Sequence, residues 1–430
     1  MHLLKWLYPG MKFKRWLLLF AAGVLLTGLG MAILFNYKYI DGIEEMLFYA
    51  VYTLSGSYNY TVTTVLSIGI IIAGLGVMLL ATRMIIRSLI SVLVPDKSER
   101  LVDMVYEHRR LDKGPAVTVV GGGTGLSVLL RGMKDATRNI TAIVTVADDG
   151  GSSGRLRQEF NVIPPGDLRN CLVALADTEP MMEKLSQYRF TGTSGLAGHS
   201  FGNLFITAMT EVTGDIEQAL KESSRVLAVK GSVFPATTSK VRLSATMEDG
   251  TIVEGESQIP LVHKRIHRVH IFPQHVEPVP SSLKAIREAE VIVFGPGSLY
   301  TSIIPNLLVD DIAAEIRKSK AVKIYICNVM TQPGETDDYT ASMHVKALID
   351  HGGKGIVDYV LVNNKEISPE MQDYYAQKGQ YPVIVDEDAI TSLGVGYFEA
   401  DIINDTELIH HDSAKLAHNE MHIYNELVQE

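Results

Sequence analysis

Two long runs of apolar residues stand near the N-terminus, and shorter apolar runs recur through the rest of the chain. Residues 16–35 (WLLLFAAGVLLTGLGMAILF) and residues 62–82 contain no Asp, Glu, Lys or Arg. A helix needs about 20 apolar residues to cross the hydrocarbon core of a bilayer. A cleavable signal peptide would have a shorter apolar core followed by a small-residue cleavage site, and no such site precedes Asn36. We therefore predict two transmembrane helices, at about 16–35 and 62–82, in a membrane anchor formed by residues 1–95.

The distribution of Lys and Arg around these runs predicts their orientation. Four basic residues precede the first run and four follow the second, whereas the loop between them has Lys38 against three acidic residues. Because cytoplasmic loops are enriched in Lys and Arg, both termini and the main domain are expected in the cytoplasm, with two spans in the inner (cytoplasmic) membrane. Neither run has an ionisable side chain, so neither favours transport. The charged residues 96–114 are interpreted as a juxtamembrane connector that contains a short helix.

From residue 115 onward, short apolar runs rich in β-branched residues alternate with helical patterns. The runs lie at 116–120, 140–146, 291–295, 323–329, 359–363 and 382–386. Buried parallel strands have this composition, and their alternation with helices is typical of a doubly wound sheet. Residues 241–258 instead alternate with a period of two around a Met-Glu-Asp-Gly turn, which predicts an antiparallel hairpin. The expected fold class is α/β: a Rossmann-like, doubly wound, mostly parallel sheet with a small antiparallel hairpin, formed by residues 115–430.

Charge and cysteine content exclude some classes of function. Residues 1–100 carry nine Lys/Arg and five Asp/Glu, whereas residues 101–430 carry 30 and 44. A body this acidic lacks the basic face that phosphate backbones require, so we expect no nucleic-acid partner. Cys171 and Cys327 each lie in an apolar run, and two cysteines cannot build a disulfide framework. They are expected to be buried, reduced thiols.

A glycine-rich turn follows the first predicted strand. It consists of Gly121, Gly122, Gly123, Thr124 and Gly125, and a helical pattern follows it. Glycines allow close approach of a ligand to the backbone, and the helix N-terminus offers free N–H groups. The turn departs from both the dinucleotide fingerprint and the Walker loop, which disfavours NAD binding and P-loop hydrolysis. The pattern predicts a phosphate or diphosphate site; a tight turn that serves only helix packing is the alternative.

Polar residues follow the next predicted elements. Asp148 and Asp149 end the second strand and could bind ribose hydroxyls, coordinate Mg²⁺ or orient a nucleophile; a turn or helix cap is the alternative. Arg169, in the segment PPGDLRN, could hold a phosphate, or could form an ordinary surface salt bridge. Asn203 opens an apolar helix in the segment GHSFGNL and is a further candidate ligand residue, as is His199 in the same segment; His199 could instead be an acid–base group or a satisfied polar residue at the helix start.

A second strand–glycine–helix pattern occurs half a chain later, in GPGSLYTS. Gly295 and Ser298 belong to its turn, and Tyr300 could stack on a nucleobase. Asn328 ends the next strand, before a loop at 330–340 that is rich in polar side chains. We expect this second turn to face the first across the crevice at the topological switch point of the sheet.

Five motifs, in order, resemble the bacterial gluconeogenesis factor family, a branch of the group that contains 2-phospho-L-lactate transferase. They are VTVVGGGTGLSVLLRGMK, VADDGGSSGRLR, PPGDLRNCL, GHSFGNL and GPGSLYTSIIPNLL. The resemblance covers roughly residues 115–420. It implies a Rossmann-like core that binds a UDP-sugar such as UDP-N-acetylglucosamine or UDP-glucose, and a role in cell shape and in peptidoglycan and envelope synthesis when cells grow on gluconeogenic carbon.

The resemblance also implies roles for individual residues. The glycines of GGGTG match the phosphate-facing loop, and Asp148 and Asp149 match an acidic pair that binds metal in the transferase branch. Asn203 matches a residue of the ligand-lining helix, and Tyr300 matches a tyrosine associated with the UDP-sugar site. The common form of the family is soluble, so the N-terminal anchor is a departure.

These observations lead to one expected function and two alternatives. The chain is expected to be a membrane-anchored, cytosolic UDP-sugar-binding regulator rather than an enzyme. Further copies of the chain, in a homo-oligomer, and envelope-synthesis proteins are its other expected partners. The first alternative is a Mg²⁺-dependent transferase that moves a phosphoryl-linked group from a nucleotide diphosphate. The second is a membrane scaffold, which the number of ligand-type loops disfavours. Mg²⁺ is the cofactor that the acidic pair suggests.

Overall fold

The computed structural model describes residues 13–35, 49, 52–53, 60–93, 106, 109–177, 180–193, 195–404 and 409–429. Contacts divide the chain into two compact units, Met1–Glu107 and His108–Glu430. Most of the loop predicted to face outward, and most of the predicted connector 96–114, lie outside the described residues.

The first unit contains two helices that pack against each other, Phe13–Leu34 and Tyr60–Leu93. They run antiparallel, since Gly23 lies against Met78 and Gly30 lies against Ile71. Small buried residues recur every seven positions on the packed faces, at Gly23 and Gly30 in the first helix and at Ser67, Gly74 and Ala81 in the second. Small residues allow close approach of helices within a bilayer. The segments Arg15–Leu34 and Thr64–Ser88 are long and apolar enough to cross a membrane.

The second unit is built around parallel strands. The described strands are β1 Val117–Gly121, β2 Ile140–Val144, β3 Ser232–Pro235, β4 Arg242–Met247, β5 Ile252–Glu254, β6 Ile266–Phe272, β7 Val291–Phe294, β8 Val322–Ile326, β9 Tyr359–Asn363, β10 Gly396–Ala400, β11 Ile403–Asn404 and β12 His410–His411. Seven of them form one parallel sheet in the order β10-β9-β8-β7-β1-β2-β3. The predicted α/β class is confirmed.

Helices cover both faces of this sheet and connect its strands. The described α-helices of the unit that contains it are Gly123–Met133, Gly151–Phe160, Gly166–Leu175, Pro180–Gln187, Phe201–Thr213, Ile216–Val226, Pro280–Glu288, Ile304–Leu307, Ile312–Lys318, Ala341–Gly352, Pro369–Ala376, Glu387–Ser392 and Ser413–Gln429. The strands β1, β2, β7, β8 and β9 are almost wholly buried, as expected of a parallel sheet covered on both faces.

The order of the strands creates a crevice. From β1 the chain proceeds to β2 and β3 on one side, and it returns later to place β7 on the other side of β1. The connections therefore leave the carboxyl ends of β1 and β7 in opposite directions. This reversal is the topological switch point, where ligands bind in open α/β sheets.

The antiparallel hairpin is also confirmed, with one addition. Strands β4 and β5 pair antiparallel, and β6 joins β4 on its other side to make a separate three-stranded sheet. This small sheet carries the 3₁₀ turns Glu256–Gln258 and Pro260–Val262.

The strand predicted at 382–386 is wrong. Only isolated bridges occur there, at Pro382 and Ile384. Pro382 has no N–H to donate to a ladder, and Asp386 accepts hydrogen bonds from Ser342 at the start of the helix Ala341–Gly352. The outer strands of the parallel sheet are instead β3 and β10, which lack continuous apolar runs.

Candidate functional site

The two glycine turns meet at the switch point between β1 and β7. A Cβ atom added to Gly125 would lie 2.6 Å from the carbonyl oxygen of Pro296, and one added to Gly297 would lie 3.2 Å from that of Gly122. Gly123 adopts a positive φ of 70°. The backbones therefore approach each other more closely than side chains would allow, which explains the glycines.

A cavity of about 500 Å³ opens between the turns. It is lined by Gly122, Gly123, Thr124, Gly125, Val128, Thr145, Asp148, Asp167, Glu256, Pro296, Gly297, Ser298, Thr301, Ser302, Asn328, Val329, Met330, Gln332, Tyr375, Gln380, Ile409, His410 and His411. Seven residues predicted from the sequence are among them: Gly122, Gly123, Thr124, Gly125, Asp148, Ser298 and Asn328. Gly121 and Gly295 lie directly behind the lining as the strand-to-turn residues.

One end of the cavity is acidic. Asp167 accepts a hydrogen bond from the Gly123 N–H, so a carboxylate already lies at the start of the helix Gly123–Met133. Burial, followed by the charge of Asp148, raises the pKa of Asp167 to about 6. Burial also raises the pKa of Asp148, although Asp148 accepts a hydrogen bond of 2.9 Å from the Gly150 N–H. The charge of Asp148 therefore disfavours the ionised form of Asp167.

A third acid reaches this end from the small sheet. Glu256 begins the 3₁₀ turn after β5 and is among the residues that line the cavity. Burial, followed by the charges of Asp148 and Asp149, raises its pKa to about 8. None of the described residues that line the cavity is Lys or Arg.

The predicted acidic pair separates into two roles. Asp148 lines the cavity, whereas Asp149 does not. Both carboxylate oxygens of Asp149 accept backbone hydrogen bonds of 3.0 Å, from the N–H groups of Glu256 and Ser257. Within the described residues, no group of three or more His, Cys, Asp or Glu side chains is arranged to hold a metal ion by itself.

The other end of the cavity is lined by neutral polar groups. Asn328 Nδ2 donates to the Gly297 carbonyl at 3.0 Å, and Gln332 Nε2 donates to Ser298 Oγ at 2.8 Å. These contacts fix the amides beside the second turn. They leave carbonyl and hydroxyl groups that can bind neutral donors and acceptors of a ligand.

The C-terminal region forms a wall of the cavity. The Ile409 N–H donates to the Tyr375 hydroxyl at 3.0 Å, which joins the helix Pro369–Ala376 to the segment that precedes β12. Burial lowers the pKa of His411 to about 4, so this ring is neutral near pH 7. The wall thus adds the aromatic ring of Tyr375 and the neutral imidazole of His411.

Three further residues predicted to bind the ligand, Arg169, Asn203 and Tyr300, also lie outside the lining. Arg169 donates to Ser200 Oγ at 2.8 Å and to Asn170 Oδ1, linking the helices Gly166–Leu175 and Phe201–Thr213. Asn203 Nδ2 donates to Ser152 Oγ at 3.1 Å, and that hydroxyl also contacts His199 Nδ1. Both residues therefore hold neighbouring helices together.

Tyr300 is the third. It is only 3% exposed, and its hydroxyl lies 2.9 Å from that of Tyr339. Its ring has edge contacts with Tyr339 and His351. Tyr300 is not among the residues that line the cavity, so the structure gives no support to the stacking expected from the sequence. The tyrosine that does line the cavity is Tyr375.

Some of the lining residues that the sequence analysis did not predict lie in recognisable sequence motifs. Asp167 lies in the PPGDLRN turn, and Gln332 lies in the polar loop 330–340, so a search of turns at strand ends could have found both. Glu256, Tyr375 and His410 belong to an inserted sheet, a late helix and a short late strand. Only their packing against the switch point brings them to the cavity.

Comparisons with known proteins agree with this architecture. Residues 117–403 match the family described as 2-phospho-L-lactate transferase CofD. A relative from Nostoc sp. is 48% identical over 416 residues, which cover 96% of this chain and 91% of the relative. Gluconeogenesis factors from Halalkalibacterium halodurans and Bacillus subtilis are 53% and 52% identical over 305 and 304 residues; each match covers 70% of this chain and 94% and 96% of the relative.

A crystal structure of a protein from Bacillus halodurans has the same fold. It is 52% identical, with a TM-score of 0.70, and the match covers 71% of this chain and 99% of that one. The Nostoc match is longer than the second unit and must include residues of the first. The chain belongs to the gluconeogenesis factor family, within the group related to 2-phospho-L-lactate transferase.

Proposed function

We propose that this chain is a membrane-anchored, cytosolic UDP-sugar-binding regulator that acts in cell shape and envelope synthesis during growth on gluconeogenic carbon. The observation that carries the proposal is the cavity between two glycine turns at the switch point. Its volume of about 500 Å³ suits a small-molecule ligand, and its position is the one at which α/β sheets bind nucleotides.

The polarity of the cavity supports a ligand with chemically different ends. The neutral end, with Asn328, Gln332 and the imidazole of His411, suits the carbonyl and N–H groups of uracil and the hydroxyls of ribose. The acidic end, with Asp148 and Glu256, suits the hydroxyl donors of a sugar. A UDP-sugar carries both kinds of group, separated by a diphosphate.

The diphosphate requires compensation of its charge. No Lys or Arg is among the described lining residues, and three carboxyl groups stand at one end. Mg²⁺ is usually held in proteins by one or two carboxylates together with substrate phosphates. Asp148, Asp167 and Glu256 offer oxygens of that kind, although these side chains alone form no closed metal site. Bound there, Mg²⁺ would neutralise the diphosphate.

The acidic end also favours the alternative function. Several acids beside a glycine turn are also what a Mg²⁺-dependent transferase requires. The matched family is described as 2-phospho-L-lactate transferase CofD. In the proposed function the chain is a binding protein on a fold shared with an enzyme, and product analysis decides between binding and transfer.

The two N-terminal helices support the membrane part of the proposal. Their packed faces carry small residues, and large apolar side chains such as Leu18, Leu25 and Leu79 are exposed. A cysteine introduced between residues 40 and 58 is expected to react with an impermeant reagent on intact cells, and one near residue 110 is not. The reverse labelling pattern would reject the orientation.

Calorimetric titration of the full chain in detergent tests ligand binding. UDP-N-acetylglucosamine and UDP-glucose are titrated with and without Mg²⁺, with uridine and the free sugars as controls, and the products are analysed after long incubation. We expect binding that Mg²⁺ strengthens, without turnover. An absence of binding would overturn the proposal. Product formation that disappears in Asp148→Asn would favour the transferase.

A further inference from the structure

We propose that Asp149 is a positioning residue: it holds the turn that begins with Glu256 against the parallel-sheet domain, and Glu256 contacts the ligand in the cavity. This inference rests on the proposed function for the identity of the ligand. It assigns different roles to the two neighbouring acids, since Asp148 faces the cavity and Asp149 faces the small sheet.

The contact between Asp149 and the turn is specific. Oδ2 accepts the Glu256 N–H and Oδ1 accepts the Ser257 N–H, each at 3.0 Å. Two N–H groups in succession thus bind one carboxylate in a bidentate manner, which fixes both the distance and the orientation of the turn. Hydrogen bonds to a charged acceptor are stronger than neutral ones.

The residue before Glu256 is adapted to this contact. Gly255 has a φ of 98°, in the region that favours glycine, and a Cβ atom there would lie 2.9 Å from Asp149 Oδ2. The Gly255 N–H donates to the Leu243 carbonyl at 2.8 Å, so the turn remains attached to β4. Gly255 thereby lets the small sheet approach Asp149.

This arrangement places Glu256 at the cavity. It comes from an insert more than 100 residues after Asp149, yet it lines the cavity beside Asp148 and Asp167. The nearby acids Asp148 and Asp167 disfavour the ionised form of Glu256, so Glu256 needs an attachment that holds it in place. The Asp149 contact supplies that attachment through the backbone. A carboxyl group at this position can exchange hydrogen bonds with sugar hydroxyls.

A double-mutant cycle tests the inference. The affinity of the full chain in detergent for UDP-N-acetylglucosamine with Mg²⁺ is measured for Asp149→Asn, for Glu256→Gln and for the pair. Each single change is expected to weaken binding by about tenfold, the size of one or two hydrogen bonds to a charged group, and the double variant by no more than either. Additive losses would show that Asp149 acts independently of Glu256 and would overturn the inference.

Two further variants separate positioning from general damage. Asp249→Asn alters an acid of the same small sheet that pairs with Lys264 at the surface, and it should leave affinity unchanged. Gly255→Ala displaces the turn while keeping every charge, and it should reproduce the loss seen in Glu256→Gln. Normal affinity in a folded Gly255→Ala variant would overturn the inference.

Hydrogen exchange gives a readout that needs no ligand. The Glu256 and Ser257 amides should exchange slowly in the wild type and faster in Asp149→Asn, while amides of β4 stay protected. If the wild type does not bind UDP-N-acetylglucosamine, the proposed function fails; the exchange rates then decide the positioning contact alone. Unchanged exchange at both amides in Asp149→Asn would overturn it.

Discussion

The loop Gly121–Gly125 and the loop Gly295–Ser298 both follow a buried parallel strand and both line the cavity, but their surroundings differ. The first leads into an 11-residue helix whose first N–H groups lie beside Asp167. The second leads into a π-helical turn, Leu299–Ile303, and lies beside the neutral amides of Asn328 and Gln332.

This difference shows that a glycine turn before a helix does not by itself define an anion site. The N-terminus of a helix attracts negative charge, and in the first loop a carboxylate of the protein already uses that attraction. A diphosphate can lie there only with a cation or after proton uptake by the acids. At the second loop, which lies beside neutral amides, a diphosphate would need neither a cation nor proton uptake by acids.

Substitution at the contact between the loops should have the largest effect. Gly125→Ala places a Cβ atom 2.6 Å from the Pro296 carbonyl oxygen, and both partners are backbone, so the loops must separate. We expect the free energy of unfolding to fall by about 1–3 kcal/mol and UDP-sugar binding to be lost. Denaturant unfolding and calorimetry check this. Gly195→Ala, where the added Cβ meets open space, is the control; equal behaviour of the two variants would contradict the contact.

The acids of the first loop should make Mg²⁺-assisted binding depend on pH. The pKa of Asp167 is raised to about 6 and that of Glu256 to about 8, so both are partly protonated between pH 6 and 8. Mg²⁺ must displace these protons, and affinity should therefore rise with pH, by at most about tenfold per unit for each proton released. Calorimetry in buffers of different ionisation enthalpy measures the protons released. A flat profile would place the diphosphate at the second loop.

The substitution Asp167→Asn tests directly whether the charge beside the first loop affects ligand binding. Without Mg²⁺, removing one negative charge beside the first loop should strengthen UDP-sugar binding by about tenfold, and with Mg²⁺ the gain should disappear. Binding is measured with chelator and with excess Mg²⁺. Asn328→Ala at the second loop should weaken binding in both conditions. If Asp167→Asn has no effect in either, the diphosphate does not approach the first loop.

The cavity wall should contribute the smallest effect. Tyr375→Phe removes the hydroxyl that accepts the Ile409 N–H, at a cost of about 0.5–1.5 kcal/mol, and should weaken binding a few-fold. Tyr374→Phe is the matched control, since its hydroxyl accepts a hydrogen bond from Lys378 at the surface. Tyr300→Phe should also leave affinity unchanged. Because Phe keeps the ring, a larger loss in Tyr300→Phe than in Tyr375→Phe would show that the Tyr300 hydroxyl takes part in binding.

The sequence by itself determined the features that depend on short stretches of chain. Apolar runs of about 20 residues specified the two N-terminal helices, β-branched runs specified five strands of the parallel sheet, and period-two alternation specified the antiparallel hairpin. The glycine turns were visible because a turn after a buried strand restricts residue type locally. Their meeting at the switch point followed from general rules of α/β topology.

The tertiary structure alone decided which side chains share the cavity. Asp148 and Asp149 are adjacent in sequence and differ in role, because only contact with the small sheet turns Asp149 away from the ligand space. Tyr300 follows a glycine turn yet is buried, whereas Glu256, Tyr375 and His411 come from distant elements and line the cavity. The charge at each loop depends on carboxylates brought there by packing. Local sequence patterns do not predict such contacts, because packing brings together residues that are more than 100 positions apart in the chain.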